Sequence, residues 1–247
     1  MKRASRVAAA AVWFACATGA QAAHPHALWR VVHDICVPLK RVAHVSAPCL
    51  SVDLKTQVAV VPNPRSPTEV LLAPTVRVTG IEDPALLAPD APNYWAAAWA
   101  ARRYVASRAG VSALPAEDVA MAVNAIPGRS QDQLHIHVDC IKPDVRATLA
   151  SDAGRLGAQW KPLRVHGGTW WARRLVGEAL APDPFRLLAG GVPGAAENMG
   201  AWTLVAAGLP GEGGEPSFAL LARRTAPGFN GHGEFLLDKR CAVLAGG

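Results

Sequence analysis

The chain has 247 residues, enough for one large domain or two small ones. A hydrophobic content of 51% and a mean hydropathy of +0.15 exclude a disordered polymer, and 22 Gly with 20 Pro predict short elements joined by many loops. The formal charge of +6 falls to about +3 once Lys2, Arg3 and Arg6 are set aside, which suits a phosphate-bearing ligand or an anionic membrane surface and is too weak for a nucleic-acid partner.

Residues 1–22 read as a secretory signal. Lys2, Arg3 and Arg6 form the positive start, Val7 to Ala17 the apolar run, and Ala20-Gln21-Ala22 a small-x-small cleavage pattern. The run is about 11 residues, well short of the ~20 that span a bilayer. Two outcomes follow: a cleaved signal that releases the body to the periplasm, or a retained anchor that holds it at the periplasmic face of the inner membrane. The predicted body, residues 23–247, is a single domain.

Beyond the leader, a helix is predicted around Leu28 to Val37. Val52 to Val61 alternates loosely and reads as one strand, closed by Pro62-Asn63-Pro64. Val70 to Ala73 is a short strand stopped by Pro74. Asn93 to Ala109 is Ala-rich, with Trp95, Trp99 and Arg102/Arg103 at helical spacing, and predicts the longest helix. Asp118 to Ile126 reads as a strand and Pro127-Gly128 as a turn. The segment after it pairs back as the second strand of an antiparallel hairpin. Pro143 and Asp144 open a short helix. Gly167 to Trp171 is a loop entering a helix or strand, and another short helix follows Pro184. Trp202 to Ala206 and Phe218 to Arg223 are strands joined by the Gly-rich turn at 208–214. The sum is an α+β fold: an antiparallel sheet with one long helix packed on it and further C-terminal strands and helices.

Gln133-Leu134-His135-Ile136-His137-Val138-Asp139-Cys140 carries the chemistry. In an extended strand, alternate side chains share a face. Gln133, His135, His137 and Asp139 therefore line one side, and Leu134, Ile136, Val138 and Cys140 the other. A neutral imidazole can attack phosphorus while a second holds the phosphoryl oxygens. A structural pair of rings and a metal-binding pair are the competing readings of the same two histidines. Four cysteines remain outside the leader: Cys36, Cys49, Cys140 and Cys241. In an oxidising compartment an even number favours disulfides. Three pairings exist; Cys36–Cys49 closes a short loop and leaves Cys140–Cys241.

The run from Asn124 to His137 resembles the active-site hairpin of the histidine-triad superfamily, with the pattern His-φ-His-φ-His-φ-φ (φ apolar). His135 then takes the place of the nucleophile and His137 of the third histidine. Gln133 stands where the first histidine is expected. Asn124 and Ser130 fit the superfamily's upstream positions. Further segments narrow the likeness to one family. They are Asp34-Ile35-Cys36-Val37-Pro38, Pro48-Cys49, Pro74 to Glu82, Pro92-Asn93-Tyr94-Trp95 and Cys140-Ile141-Lys142-Pro143-Asp144-Val145-Arg146. Over roughly residues 28–242 the chain resembles the bacterial CDP-diacylglycerol pyrophosphatases, which carry cysteines at all four positions.

The resemblance implies a histidine-triad-like fold and hydrolysis of CDP-diacylglycerol to CMP and phosphatidate. It implies a covalent nucleotidyl-His135 intermediate, with His137 on the phosphoryl oxygens and no metal or other cofactor. Asn124, Ser130, Gln131 and Gln133 are the implied substrate-binding residues. Arg77, Lys142 and Arg146 are candidate phosphate contacts or surface charges. The other histidines, His232 among them, show no ligand spacing and read as surface or packing residues. Two rivals stand beside this: a histidine-triad hydrolase of soluble nucleotides, and a periplasmic metal- or nucleotide-binding protein without turnover.

Overall fold

The computed structural model describes residues 24–210 and 216–246; the predicted leader over 1–22, and most of the Gly-rich turn at 208–214, lie outside the described residues. The N-terminal arm is one continuous helix: α1 (Ala27–Arg30), a wider π-helical stretch Val31–Cys36, then α2 (Val37–Ala43). It runs on past Pro38, which follows closely on the π-helical stretch, where the regular i→i−4 bonding is already interrupted. The single strand expected over Val52 to Val61 is instead a hairpin, β1 (Ser51–Asp53) and β2 (Val58–Pro62). Asp53 turns the chain by accepting from the Lys55 and Thr56 amides at 2.8 and 3.2 Å. β3 (Val70–Pro74) follows as expected.

The long helix is α3 (Tyr94–Arg108). Asn93 caps it, its side chain accepting from the Ala96 amide at 3.0 Å. Trp95 and Trp99 are buried on one side of α3, Trp95 tilted against Phe185 and Trp99 edge-on to Phe218. β4 (Val119–Val123) and β5 (Ile136–Ile141) form the antiparallel pair read from the sequence. α4 (Pro143–Asp152) opens with Pro143 in its first turn. The segment at 167–171 proves to be a hairpin, β6 (Lys161–Val165) and β7 (Gly168–Val176). Its partner strand β6 was illegible because Pro162 and two exposed charges mask the alternation. α5 (Pro184–Gly191), β8 (Trp202–Leu209), β9 (Ser217–Arg224) and β10 (Leu237–Asp238) complete the fold.

All described strand pairs are antiparallel, in the order β1-β2-β3-β5-β4-β8-β9-β7-β6, with β10 beside the far end of β5. One face of the sheet packs on α3 through Val60, Leu72, Ile136, Val138, Met121 and Leu204, among others. The other face carries two separate apolar clusters. Val32, Cys36 and Val37 of the N-terminal helix meet Val52, Ala59 and Val61 in one. Val145 and Leu149 of α4 meet Ala120, Val205 and Leu221 in the other. His137 lies in the gap between them, paired in register with Leu71 on one side and Ala122 on the other. Among the described residues no helix is long and apolar enough to cross a membrane.

Two disulfides tie this frame, Cys36–Cys49 and Cys140–Cys241, with sequence separations of 13 and 101. Cys140 belongs to the α3 face, so its bridge holds β5 from the side opposite the histidines. A second constraint is the crossing of two loops. Gly128 and Gly231 approach so closely that a Cβ on Gly128 would lie 2.7 Å from the Gly231 carbonyl carbon. Gly231 itself has φ +85°.

Two stability predictions follow. On chain entropy alone the 101-residue separation is worth about 4.7 kcal/mol and the 13-residue one about 3 kcal/mol, as upper guides. Urea unfolding should therefore show Cys140→Ala/Cys241→Ala losing more stability than Cys36→Ala/Cys49→Ala; the reverse order would show that loop length does not govern the effect. Gly128→Ala should cost about 1–3 kcal/mol by overpacking, measured as a fall in Tm.

Candidate active site

A cavity of about 370 Å³ opens on the histidine side of the sheet. Leu28 and Val31 of the N-terminal helix and Leu71 of β3 give it an apolar side, while Asn63, Arg65, Asn124, Ser130, Glu234 and Lys239 give it polar groups. His135 and His137 form part of its wall, 8% and 5% exposed, with ring centroids 4.9 Å apart.

His135 precedes β5 by one residue but keeps the strand alternation, with Leu134 tied to the Val78 carbonyl at 2.7 Å. Its Nδ1 lies 2.7 Å from the Gln133 carbonyl oxygen. A carbonyl only accepts, so Nδ1 carries the proton and Nε2 keeps its lone pair. Burial, and then the charge of His137, push the His135 pKa down to about 3. The ring is therefore neutral across the physiological range.

His137 sits in the opposite environment. Its Nδ1 is 2.5 Å from Glu69 Oε1 and 3.0 Å from Glu234 Oε2. Burial works against its charge, but the hydrogen bond to Glu69 and the charges of Glu234 and Glu69 outweigh it and raise its pKa. Glu69 is likewise buried, and the His137 hydrogen bond and charge hold it ionised below the usual carboxylate range against that burial. Asn63 Nδ2 donates to Glu69 Oε2 at 2.5 Å, and Lys239 Nζ stands 3.7 Å away. The two carboxylates thus favour the charged form of His137. Among the described residues its buried Nε2 has no hydrogen-bond partner. The two neighbouring imidazoles therefore sit in opposite electrostatic environments, one favouring the neutral ring and the other the charged one.

Glu69, His137 and Glu234 also place donor atoms within 4.8 Å of one another, a set that could hold a cation. The proton on His137 Nδ1 and the Lys239 ammonium already supply positive charge to these carboxylates.

The remaining predicted residues divide. Asn124 lines the cavity and also builds it: its Oδ1 accepts from the Gly233 and Glu234 amides at 2.9 and 3.4 Å, fixing the short 3₁₀ turn that carries Glu234. Ser130 is an exposed residue of the wall. Gln131 lines the cavity too, but its amide is engaged, accepting from the Leu28 amide at 2.8 Å and donating to the His24 carbonyl at 3.1 Å. Gln133 is fully buried and lies off the cavity wall, donating to the Pro74 and Val76 carbonyls at 3.0 and 2.9 Å. Its side chain braces the 74–76 loop, and its backbone carbonyl is what orients His135. Asp139, on the same face, is wholly buried beneath the site, and burial raises its carboxyl to about 7.

Arg77, Lys142 and Arg146 do not line the cavity. Arg77 stacks over Trp29, Lys142 approaches His166, and Arg146 pairs with Asp118 at 2.7 Å. The cavity's cations are Arg65 and Lys239 instead. Glu69 and Glu234 carry no motif of their own; His232, read as a surface or packing residue, stacks on Phe235 and also lines the cavity wall. Each is distant in sequence from the histidines. The only local cue was a charge opening an apolar strand, Glu69 before Val70, where a buried carboxylate demands a partner.

Two comparisons with known proteins bear on what this chain is. A family model described as CDP-diacylglycerol pyrophosphatase matches residues 23–245. A CDP-diacylglycerol pyrophosphatase of Yersinia pestis is 38% identical over 223 residues, covering 88% of this chain and 84% of that protein. With its match running through both disulfides, the histidine strand and the carboxylates behind it, the chain belongs to the CDP-diacylglycerol pyrophosphatase family.

Proposed function

We propose that this protein is a hydrolase that cleaves the pyrophosphate link of CDP-diacylglycerol to CMP and phosphatidate, with His135 as nucleophile. The observation that carries the mechanism is the Nδ1–carbonyl bond of His135, which leaves a neutral Nε2 as the ring nitrogen available to the cavity. Nε2 attacks the phosphorus of the cytidylyl group. The Nε2–P bond forms, the bridging P–O bond breaks, and phosphatidate departs with the electron pair. Phosphatidate is already a phosphate, so it leaves without strong acid assistance. Water then attacks the same phosphorus and gives up a proton to solvent, the N–P bond breaks with its electron pair returning to Nε2, CMP leaves, and His135 returns to its neutral form.

His137 donates from Nε2 to a non-bridging oxygen, its charge meeting the negative charge that builds in the transition state. Arg65 and Lys239 sit where the two phosphate groups can reach them. This division of labour supports a histidine-triad-like chemistry in which Gln133 contributes its backbone rather than its side chain. It needs no Lewis acid. The disulfides are in keeping with an exported protein, working in the periplasm or on the periplasmic face of the inner membrane.

His135→Ala should reduce turnover by a factor on the order of 10⁴ or more, and brief exposure of the parent to substrate should give a CMP mass adduct that this variant lacks. Full activity in His135→Ala would sink the mechanism. His137→Ala should cost about 10²–10³-fold, the scale for one lost oxyanion donor. Chelator treatment should leave the rate intact; loss on chelation with recovery on adding Zn²⁺ would move the reading to metal hydrolysis at Glu69, His137 and Glu234.

The pH dependence has a definite sign. His137 is active as the imidazolium, and its pKa is raised, so the rate falls as pH climbs through that raised value. Glu234→Gln removes one stabilising charge, and the alkaline limb of kcat/KM should move to lower pH. His135 loses its lone pair only near pH 3, so the acid limb from this residue stays far below neutrality in both proteins. An unmoved alkaline limb would show that the His137 charge is not what the reaction uses.

A further inference from the structure

The N-terminal helix belongs both to the cavity and to the outer surface. Leu28 and Val31 line the cavity. At steps of three or four residues from Val31 come Ile35, Leu39 and Val42, which are 43%, 39% and 85% exposed. Val45, just beyond the helix, is 48% exposed. The intervening Val32, Cys36 and Val37 are buried against β1 and β2, and the Cys36–Cys49 bridge pins the helix there. The apolar lining of the cavity therefore continues along one helix into an aliphatic stripe on the surface. Such a stripe marks a contact with something other than water.

Charge and size both point to what it contacts. Over residues 24–50 Asp34 is the one acidic residue, against Arg30, Lys40 and Arg41. Lys40 and Arg41 lie directly between Leu39 and Val42, the arrangement that draws an amphipathic helix to anionic lipid. The Lys2, Arg3, Arg6 and Val7 to Ala17 leader ends within five residues of Ala27, so this helix is also the part of the fold nearest in sequence to any retained anchor. The cavity, at about 370 Å³, is near the small end for ligand sites. It has room for a nucleotide diphosphate head and not for two long acyl chains as well.

We propose that Ile35, Leu39 and Val42, with Lys40 and Arg41, form the face that rests on an anionic phospholipid bilayer. The diacylglycerol part of the substrate stays in or near that bilayer, and its glycerol end enters the cavity past Val31 and Leu28. This rests on the substrate reading above.

The test uses the full chain and its Ile35→Ser/Leu39→Ser/Val42→Ser variant on two substrates. One is long-chain CDP-diacylglycerol in phosphatidylglycerol vesicles; the other is CDP-dihexanoylglycerol, monomeric in solution. The variant should lose tenfold or more in kcat/KM on vesicles and stay within twofold of the parent on the monomeric substrate. Equal loss on both substrates, or no loss on vesicles, overturns the docking face. Lys40→Ser/Arg41→Ser should lose activity on phosphatidylglycerol vesicles and not on phosphatidylcholine vesicles; equal behaviour on the two overturns the anionic preference. A lipid-free parent dimer that the triple variant converts to monomer would assign the stripe to a second copy and also overturn the proposal. If the parent cleaves neither lipid, the substrate reading itself fails, an outcome separate from a parent that cleaves both with no vesicle effect in the variants.

Discussion

Placing two imidazoles and a carboxylate on a buried face of a central strand creates a demand for partners that the rest of the molecule is arranged to meet. An unpaired buried charge costs far more than a buried ion pair with good geometry. His137 meets the demand with Glu69, just ahead of β3, and Glu234 from the 3₁₀ turn at 233–236, two residues 165 positions apart in the chain that converge on one nitrogen. Removing either would leave charge behind, which is why the surrounding elements are held so firmly. Asn124 grips the turn bearing Glu234, Asn63 and Lys239 hold the far oxygen of Glu69, and the crossing at Gly128 and Gly231 sets the two loops against each other.

The same arrangement separates the two rings chemically although they share a strand face. His135 has a neutral acceptor, a backbone carbonyl, and a charged neighbour; both the burial and that neighbour disfavour its protonation. His137 has two anionic acceptors and stays charged. One charged residue therefore also keeps its neighbour free of a proton, the division on which the proposed reaction depends. The split follows from partners rather than from sequence, since both are histidines flanked by aliphatic residues.

The sheet allows this by parity. The α3 face of β5 is continuous hydrophobic core, and the disulfide from Cys140 holds the strand from that side. The other face is interrupted between two apolar clusters, and the interruption is the cavity. The N-terminal helix closes one wall of that gap and carries its apolar character to the surface.

Period-two alternation from Gln133 to Cys140 determined, without any structure, which side chains share the reactive face, because a strand offers no other arrangement. The count and spacing of cysteines likewise narrowed the bridges to a pairing that the fold adopts. Asn93 and the Ala-rich run fixed α3 to within a residue at each end through local capping and propensity. What the sequence left open are the partners brought from a distance. Glu69, Glu234, Lys239 and His232 have no spacing relation to the histidines, and only the pairing of β3 and β10 with β5 gathers them. Gln131 and Gln133 show the converse: polar residues beside the motif that read as substrate contacts have their amides engaged by backbone groups of the 24–28 and 74–76 segments. Local pattern decides which face a side chain points to; the tertiary fold decides what it meets there, and with that which nitrogen holds the proton.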